Sequence, residues 1–187
     1  METVKDVVYD VESKMKKTVE ATHREFNTVR TGRANTAMVE GLHVEYYGQD
    51  VPLRQIAGIS APDARLIVIQ PWDPQALASI EKSIMKSDIG ITPTNDGKII
   101  RLSIPPLTQE RREELAKVIK KMAEDGKVSL RSTRHHANDI IDKLEKDKKI
   151  SEDDKFNGHK EIQRLIDKYS EEIDKIFKVK ETEITSH

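Results

Sequence analysis

Seven polar residues carry the chemistry that this 187-residue chain advertises most clearly. Lys117, Lys120, Glu124, Lys127, Arg131, Arg134 and Asn138 follow one another at steps of three and four, the spacing that stacks side chains on one face of a helix. Five of the seven are basic. Arg131 and Arg134 stand one turn apart and suit neighbouring phosphates, because a guanidinium pairs bidentately with phosphate oxygens. Such a stripe fits a nucleic-acid backbone. A solvated helix face has the same pattern, and spacing alone leaves both readings open.

A second basic spot is Arg30-Thr31-Gly32-Arg33. A helix ending there would account for Arg30, a cation at the negative end, and for Gly32 as a left-handed cap. It leaves Arg33 without a role.

Little else is equipped for bond chemistry. The chain has no cysteine, which removes disulfides, thiolate metal sites and a cysteine nucleophile. His135 and His136 are adjacent, so on a helix they point to different sides and cannot share a metal; Asp139 is their one carboxylate neighbour at helical spacing. His23, His43, His159 and His187 are scattered, and no glycine-rich phosphate loop, serine elbow or HExxH motif occurs. No catalytic residue, metal or cofactor is expected. The one tryptophan, Trp72, stands between Pro71 and Pro74 and reads as a packing anchor.

The bulk numbers agree with a binding role. Apolar residues make up 36% of the chain, charged residues 35% and aromatics 4%, with a net charge of −1. That balance suits elongated helices, and it confines nucleic-acid binding to a local basic stripe. No run approaches the roughly 18 apolar residues of a membrane span, and the first residues resemble neither a signal nor a transit peptide. A soluble cytoplasmic protein is expected.

The stripe needs a long helix beneath it, and the sequence supplies three. Val4, Val8, Val11, Met15, Val19, Thr22, Phe26 and Val29 form a seam over residues 1 to about 30. A second seam runs through Leu115, Ile119, Met122, Gly126, Leu130, Thr133, Ala137, Ile141 and Leu144, with Thr108 as a candidate N-cap. A third follows Ser151-Glu152-Asp153-Asp154, a capping signature, through Phe156, Ile162, Ile166, Tyr169, Ile173, Ile176 and Val179. Such helices are marginal alone and predict a three-helix bundle; with all three seams satisfied internally, a monomer is expected.

Between the first two helices the texture changes. All seven prolines lie between Pro52 and Pro106, around short β-prone runs at Leu42 to Tyr47, Leu66 to Gln70 and Ile99 to Ile104. Tyr47-Gly48 and Asn95-Asp96-Gly97 supply turn chemistry, and Gln75 to Lys86 reads as a helix with Leu77, Ile80, Ile84 and Met85 on one face. The reading is α+β: a bundle of residues 1–30 and 106–187, and an inserted β/α/β domain of residues 31–105. Two passages of chain, Thr31-Gly32 and Pro105-Pro106, join them and form a hinge candidate.

In this order the motifs resemble the ribosome recycling factor family, over essentially the whole length. The residues that carry the resemblance are Arg30-Thr31-Gly32-Arg33-Ala34, Val44-Glu45-Tyr46-Tyr47-Gly48 with Pro52-Leu53, and Ser87-Asp88-Ile89-Gly90. Ile104-Pro105-Pro106-Leu107-Thr108 with Glu110-Arg111-Arg112, then Arg131, Arg134, Ala137-Asn138-Asp139 and Ile150 to Asp154, complete it. The resemblance implies an L-shaped, tRNA-like protein that binds the post-termination ribosome. With elongation factor G and GTP it splits the subunits, so that mRNA and tRNA leave, and it makes no bond change itself. It implies that Arg131 and Arg134 face large-subunit ribosomal RNA and that Arg30 and Arg33 lie on the joint-side surface; the spacing of the stripe adds Lys117, Lys120, Lys127 and Asn138 to the expected rRNA-binding residues. This chain departs from the pattern after Arg134, where the family usually has Arg then Asp and His135-His136 stand instead.

The rival reading is a helical adaptor that binds proteins through exposed seams. It predicts self-association and no affinity for RNA.

Overall fold

The computed structural model of the chain describes residues 3–185; His187 and the first two residues of the expected first helix lie outside them. Two compact units result: Met1–Thr31 with Gln109–His187, and Gly32–Thr108.

The first unit consists of three long helices, α1 (Val4–Asn27), α4 (Gln109–Lys146) and α5 (Glu152–Thr185). Thr3 opens α1 with a reciprocal capping box, its hydroxyl accepting from the Asp6 amide while the Asp6 carboxylate accepts from the Thr3 amide, both at 3.2 Å. Ser151 and Asp154 do the same for α5 at 3.0 and 3.1 Å. Between α4 and α5 the turn is tight. Lys148 adopts φ 57°, and Lys149 and Lys148 donate back to the Leu144 and Glu145 carbonyls at 2.9 Å, a Schellman closure with lysine where glycine is commoner.

The three helices pack on one another throughout. Glu12 of α1 meets Tyr169 of α5, and Phe26 stands 6.5 Å from Phe177, so α1 and α5 run in the same direction. Thr22 and Ile173 close on Gly126, while Val4 and Ile141 close on Gly158, so α4 runs against both. The core between them includes Val7, Val11, Met15, Phe26, Leu115, Ile119, Leu130, Ile141, Ile162, Leu165, Tyr169 and Ile173.

Three expectations about these helices need correction. Gly32 does not cap α1. The helix stops at Asn27, and the Thr28 hydroxyl and amide both donate to the Glu25 carbonyl, satisfying the helix end four residues earlier. Phe156 and Val179, expected on the third seam, are 69% and 62% exposed. Each lies six residues before or after a buried isoleucine, Ile162 or Ile173, and six residues turn a helix through about 240°.

The second unit contains α2 (Ala37–Glu40), β1 (His43–Tyr46), β2 (Gln49–Pro52), β3 (Ala57–Asp63), β4 (Leu66–Pro71), α3 (Leu77–Lys86), β5 (Thr94–Asn95) and β6 (Ile100–Ser103). β1 and β2 form a two-stranded sheet, and the other four lie in the order β3-β4-β6-β5, all antiparallel. Tyr47 and Gly48, at φ 49° and 76°, make the two-residue turn between β1 and β2, the geometry whose twist matches a hairpin. The hydrophobic core gathers Val39, Val44, Leu53, Ile67, Ile69, Ile80, Ile84, Ile100 and Leu102.

Trp72 is not the anchor of this core; it is 69% exposed. Period-two alternation along β4 turns Ile67, Ile69 and Pro71 inward, which sends the next residue out. Met85, expected beside Ile84, is 65% exposed because Leu77, Ile80 and Ile84 already fill the inner face of α3. Gly32, at φ 74°, lies where a Cβ would stand 2.9 Å from the Leu107 side chain, so the two chain passages into this unit are closely apposed.

Candidate nucleic-acid interface

The basic stripe lies on α4, whose other side is committed to the core by Leu115, Ile119, Ala123, Gly126, Leu130, Ala137 and Ile141. Its partners show which groove it borders. Lys127 Nζ lies 2.5 Å from Asp174 Oδ1, and Arg134 Nη1 donates to Gln163 Oε1 at 3.1 Å, both across to α5. Arg131 Nη2 donates to Glu124 Oε1 at 2.6 Å, two turns back along α4. Lys117 and Lys120 are exposed and make no ion pair among the described residues. Asn138 is half-buried, with its Oδ1 closed off from solvent and without a hydrogen-bond partner.

The stripe therefore holds three kinds of cation, Lys117 and Lys120 being those without an ion pair among the described residues. Arg131 and Lys127 each rest on a carboxylate, which offsets their charge locally. Arg134 rests on a neutral amide, and Gln163 in turn donates through Nε2 to Asp167 Oδ1 at 2.9 Å. That chain fixes the guanidinium without cancelling it. The carboxylate pairs are exposed at the surface, and pairs of that kind are worth only about 0–1 kcal/mol. A phosphate can displace them.

Arg30 is exposed just past α1, in the same unit as the stripe, whereas Arg33 is exposed at the start of the other unit. The two histidines beside Arg134 are both exposed. His135 Nε2 stands 3.7 Å from Asp139 Oδ2, and His136 lines a shallow groove with Val7, Asp10 and Lys14 of α1. No group of three or more metal-ligating side chains occurs among the described residues, and no described helix is long and apolar enough to cross a membrane.

Sequence reasoning found the cations but missed Gln163 and Asp174, whose role depends on the α4/α5 register. It also missed an aromatic surface on the other unit. Tyr46 and Tyr47 pack edge to face, with centroids 4.5 Å apart, and both phenols donate to Asp73 Oδ2 at 3.0 Å. The Gln75 amide, followed by the Tyr47 phenol, holds the Asp73 carboxyl below its usual range.

Set beside known proteins, the whole chain finds counterparts. A family model described as ribosome recycling factor matches residues 22–185. The ribosome-recycling factor of Carboxydothermus hydrogenoformans is 54% identical over 183 residues, covering 98% of this chain and 99% of the relative. That of Heliobacterium modesticaldum is 52% identical over 181 residues, covering 97% and 98%. A solution structure of the ribosome recycling factor superposes with a TM-score of 0.77 at 43% identity, covering 98% of each chain. A second match has a TM-score of 0.65 at 42% identity and covers 97% of this chain and 98% of its counterpart; it describes the T. thermophilus ribosome recycling factor and the E. coli elongation factor G bound to the E. coli post-termination complex. With the family model and these relatives together spanning both units and the basic stripe, the chain belongs to the ribosome recycling factor family.

Proposed function

We propose that this protein binds the post-termination ribosome and, with elongation factor G and GTP, separates its subunits and frees mRNA and tRNA. The observation that carries this reading is the near full-length match to ribosome-recycling factors, one of them described together with elongation factor G on a post-termination complex. The protein makes and breaks no bond; GTP hydrolysis belongs to elongation factor G. It works in the cytoplasm as a monomer, and the mutual burial of its three long helices supports that state.

In this reading the α4 face docks on large-subunit ribosomal RNA through phosphate contacts, which fix position without reading sequence. Arg134 and Arg131 are the principal contacts, with Lys117, Lys120, Lys127 and Asn138 along the same stripe and Arg30 and Arg33 as further ones. Thr31-Gly32 and Pro105-Pro106 form the hinge about which elongation factor G turns the small unit. Two chain passages make such a joint resistant to stretching while leaving it free to bend.

The test is light scattering of post-termination ribosomes mixed with this protein, elongation factor G and GTP. Scattering falls as subunits part, and the fall requires all three additions. Unchanged scattering with an elongation factor G active alongside a known recycling factor contradicts the proposal.

A further inference from the structure

We propose that Glu124 and Asp174 are built-in competitors for RNA phosphate, occupying Arg131 and Lys127 in the free protein and setting how readily the docked face lets go. This rests on the docking of the α4 face on ribosomal RNA proposed above.

The geometry sets these two acids apart from the many others on the surface. Glu124 Oε1 lies 2.6 Å from Arg131 Nη2, and Asp174 Oδ1 lies 2.5 Å from Lys127 Nζ. Glu124 stands within the stripe itself, and Asp174 reaches it from α5 across the groove. Both carboxylates remain 59% exposed, so water and salt reach them and an incoming phosphate can as well. A bidentate grip on phosphate uses two guanidinium nitrogens. Glu124 already occupies Nη2 of Arg131, one of the two nitrogens in either bidentate edge, so an incoming phosphate must compete with it there.

The consequence is electrostatic. Each phosphate neutralised by a protein cation releases a counterion from the RNA. A carboxylate left beside that phosphate repels it and gathers cations again, so the pair contributes less than a bare arginine or lysine would. Two of the five cations on the stripe are offset in this way. Arg134, held by the Gln163 amide at 3.1 Å, is not, and Lys117 and Lys120 make no ion pair among the described residues. The face is thus graded: Arg131 and Lys127 are tempered, Arg134 is fixed without being offset, and Lys117 and Lys120 carry their charge without an ion pair among the described residues. A factor that must leave the ribosome after each round needs a face of this kind.

The experiment measures binding of the full-length protein to purified large ribosomal subunits over a salt series. The variants are Glu124→Gln, Asp174→Asn, their combination and Glu124→Asp, with Glu20→Gln as a charge-matched control on the exposed side of α1. Each acid removal is expected to tighten binding at low salt, by up to about fivefold. It also steepens the slope of log K against log salt by up to about 0.9. Glu20→Gln has a smaller effect, and Glu124→Asp stays near the parent. Unchanged or weaker binding in Glu124→Gln and Asp174→Asn, or an equal gain in Glu20→Gln, overturns the proposal. Arg134→Ala separates the two levels. If it weakens binding while the acid variants do nothing, only the competition fails; if it too leaves binding untouched, the docking face itself is wrong.

Discussion

Arg134 Nη1 donates to Gln163 Oε1 at 3.1 Å across the α4/α5 groove, so this guanidinium is fixed by a neutral amide while its neighbour Arg131 rests on a carboxylate. The neutrality of Gln163 matters more than its hydrogen bond. Gln163→Ala is expected to change affinity for large subunits by no more than about twofold, the loss of one exposed hydrogen bond. Gln163→Glu places a carboxylate against Arg134 and weakens binding by up to about fivefold. Filter binding of the two variants side by side checks the order.

At Gly126 of α4 side chains from both α1 and α5 close in. A Cβ there would meet Thr22 Oγ1 at 2.6 Å and Ile173 Cδ1 at 3.1 Å, and Thr22 Oγ1 is itself held by the Thr18 carbonyl at 2.9 Å. Gly126→Ala gains about 1 kcal/mol of helix propensity but overpacks the seam, for a net loss of about 1–2 kcal/mol. Adding Thr22→Ala removes the obstructing hydroxyl and restores most of the loss. Urea unfolding of the single and double variants measures both.

Tyr169 is fully buried and donates to Glu12 Oε1 at 2.9 Å. Burial, aided by Glu12, pushes its phenol up to about 12. A raised folded value favours the neutral phenol, so this contribution to stability is complete below the ordinary tyrosine range near about 10 and disappears as pH rises toward about 12. Thermal unfolding of the parent protein should therefore fall more steeply over that window than that of Tyr169→Phe. At neutral pH the variant is weaker by about 1 kcal/mol, the worth of the lost hydrogen bond.

Asp96 closes the hairpin between β5 and β6. The backbone amides of Ile99 and Lys98, then Arg101, push its carboxyl down to about 2. A depressed value means that the stabilisation is present above the ordinary aspartate range and is lost as pH falls toward about 2. Protection of the Lys98 and Ile99 amides against hydrogen exchange, taken relative to the intrinsic rate at each pH, should fall over that acid window. In Asp96→Ala that protection is already low at neutral pH.

The long helices were legible because their seams repeat many times, and one irregular position is outvoted. Phe156 and Val179 show the limit. Read by helical spacing they continue a seam, yet both stay exposed, Phe156 among polar residues of α5 itself and Val179 at the rim of a groove shared with His23 and Phe26 of α1, because the register against α1 and α4 decides which apolar residues are covered. In the small unit, β1, β4 and β6 carried their alternation in the sequence. β3 did not, being mostly exposed and broken by Gly58 and Pro62, a composition tolerated at a sheet edge. The stripe was legible as a run of cations on one helix. Its grading was not, since Gln163 and Asp174 lie 29 residues or more away in sequence from the cations they touch.

The central claim is that the α4 face holds ribosomal RNA through phosphate contacts from Arg134 and its neighbours. The most direct test is the affinity of the protein for purified large subunits, with and without Arg134→Ala, over a series of salt concentrations. The parent should lose affinity linearly on logarithmic axes, and the variant should bind more weakly with a slope shallower by about 0.7–0.9. Two superimposable lines would contradict the account.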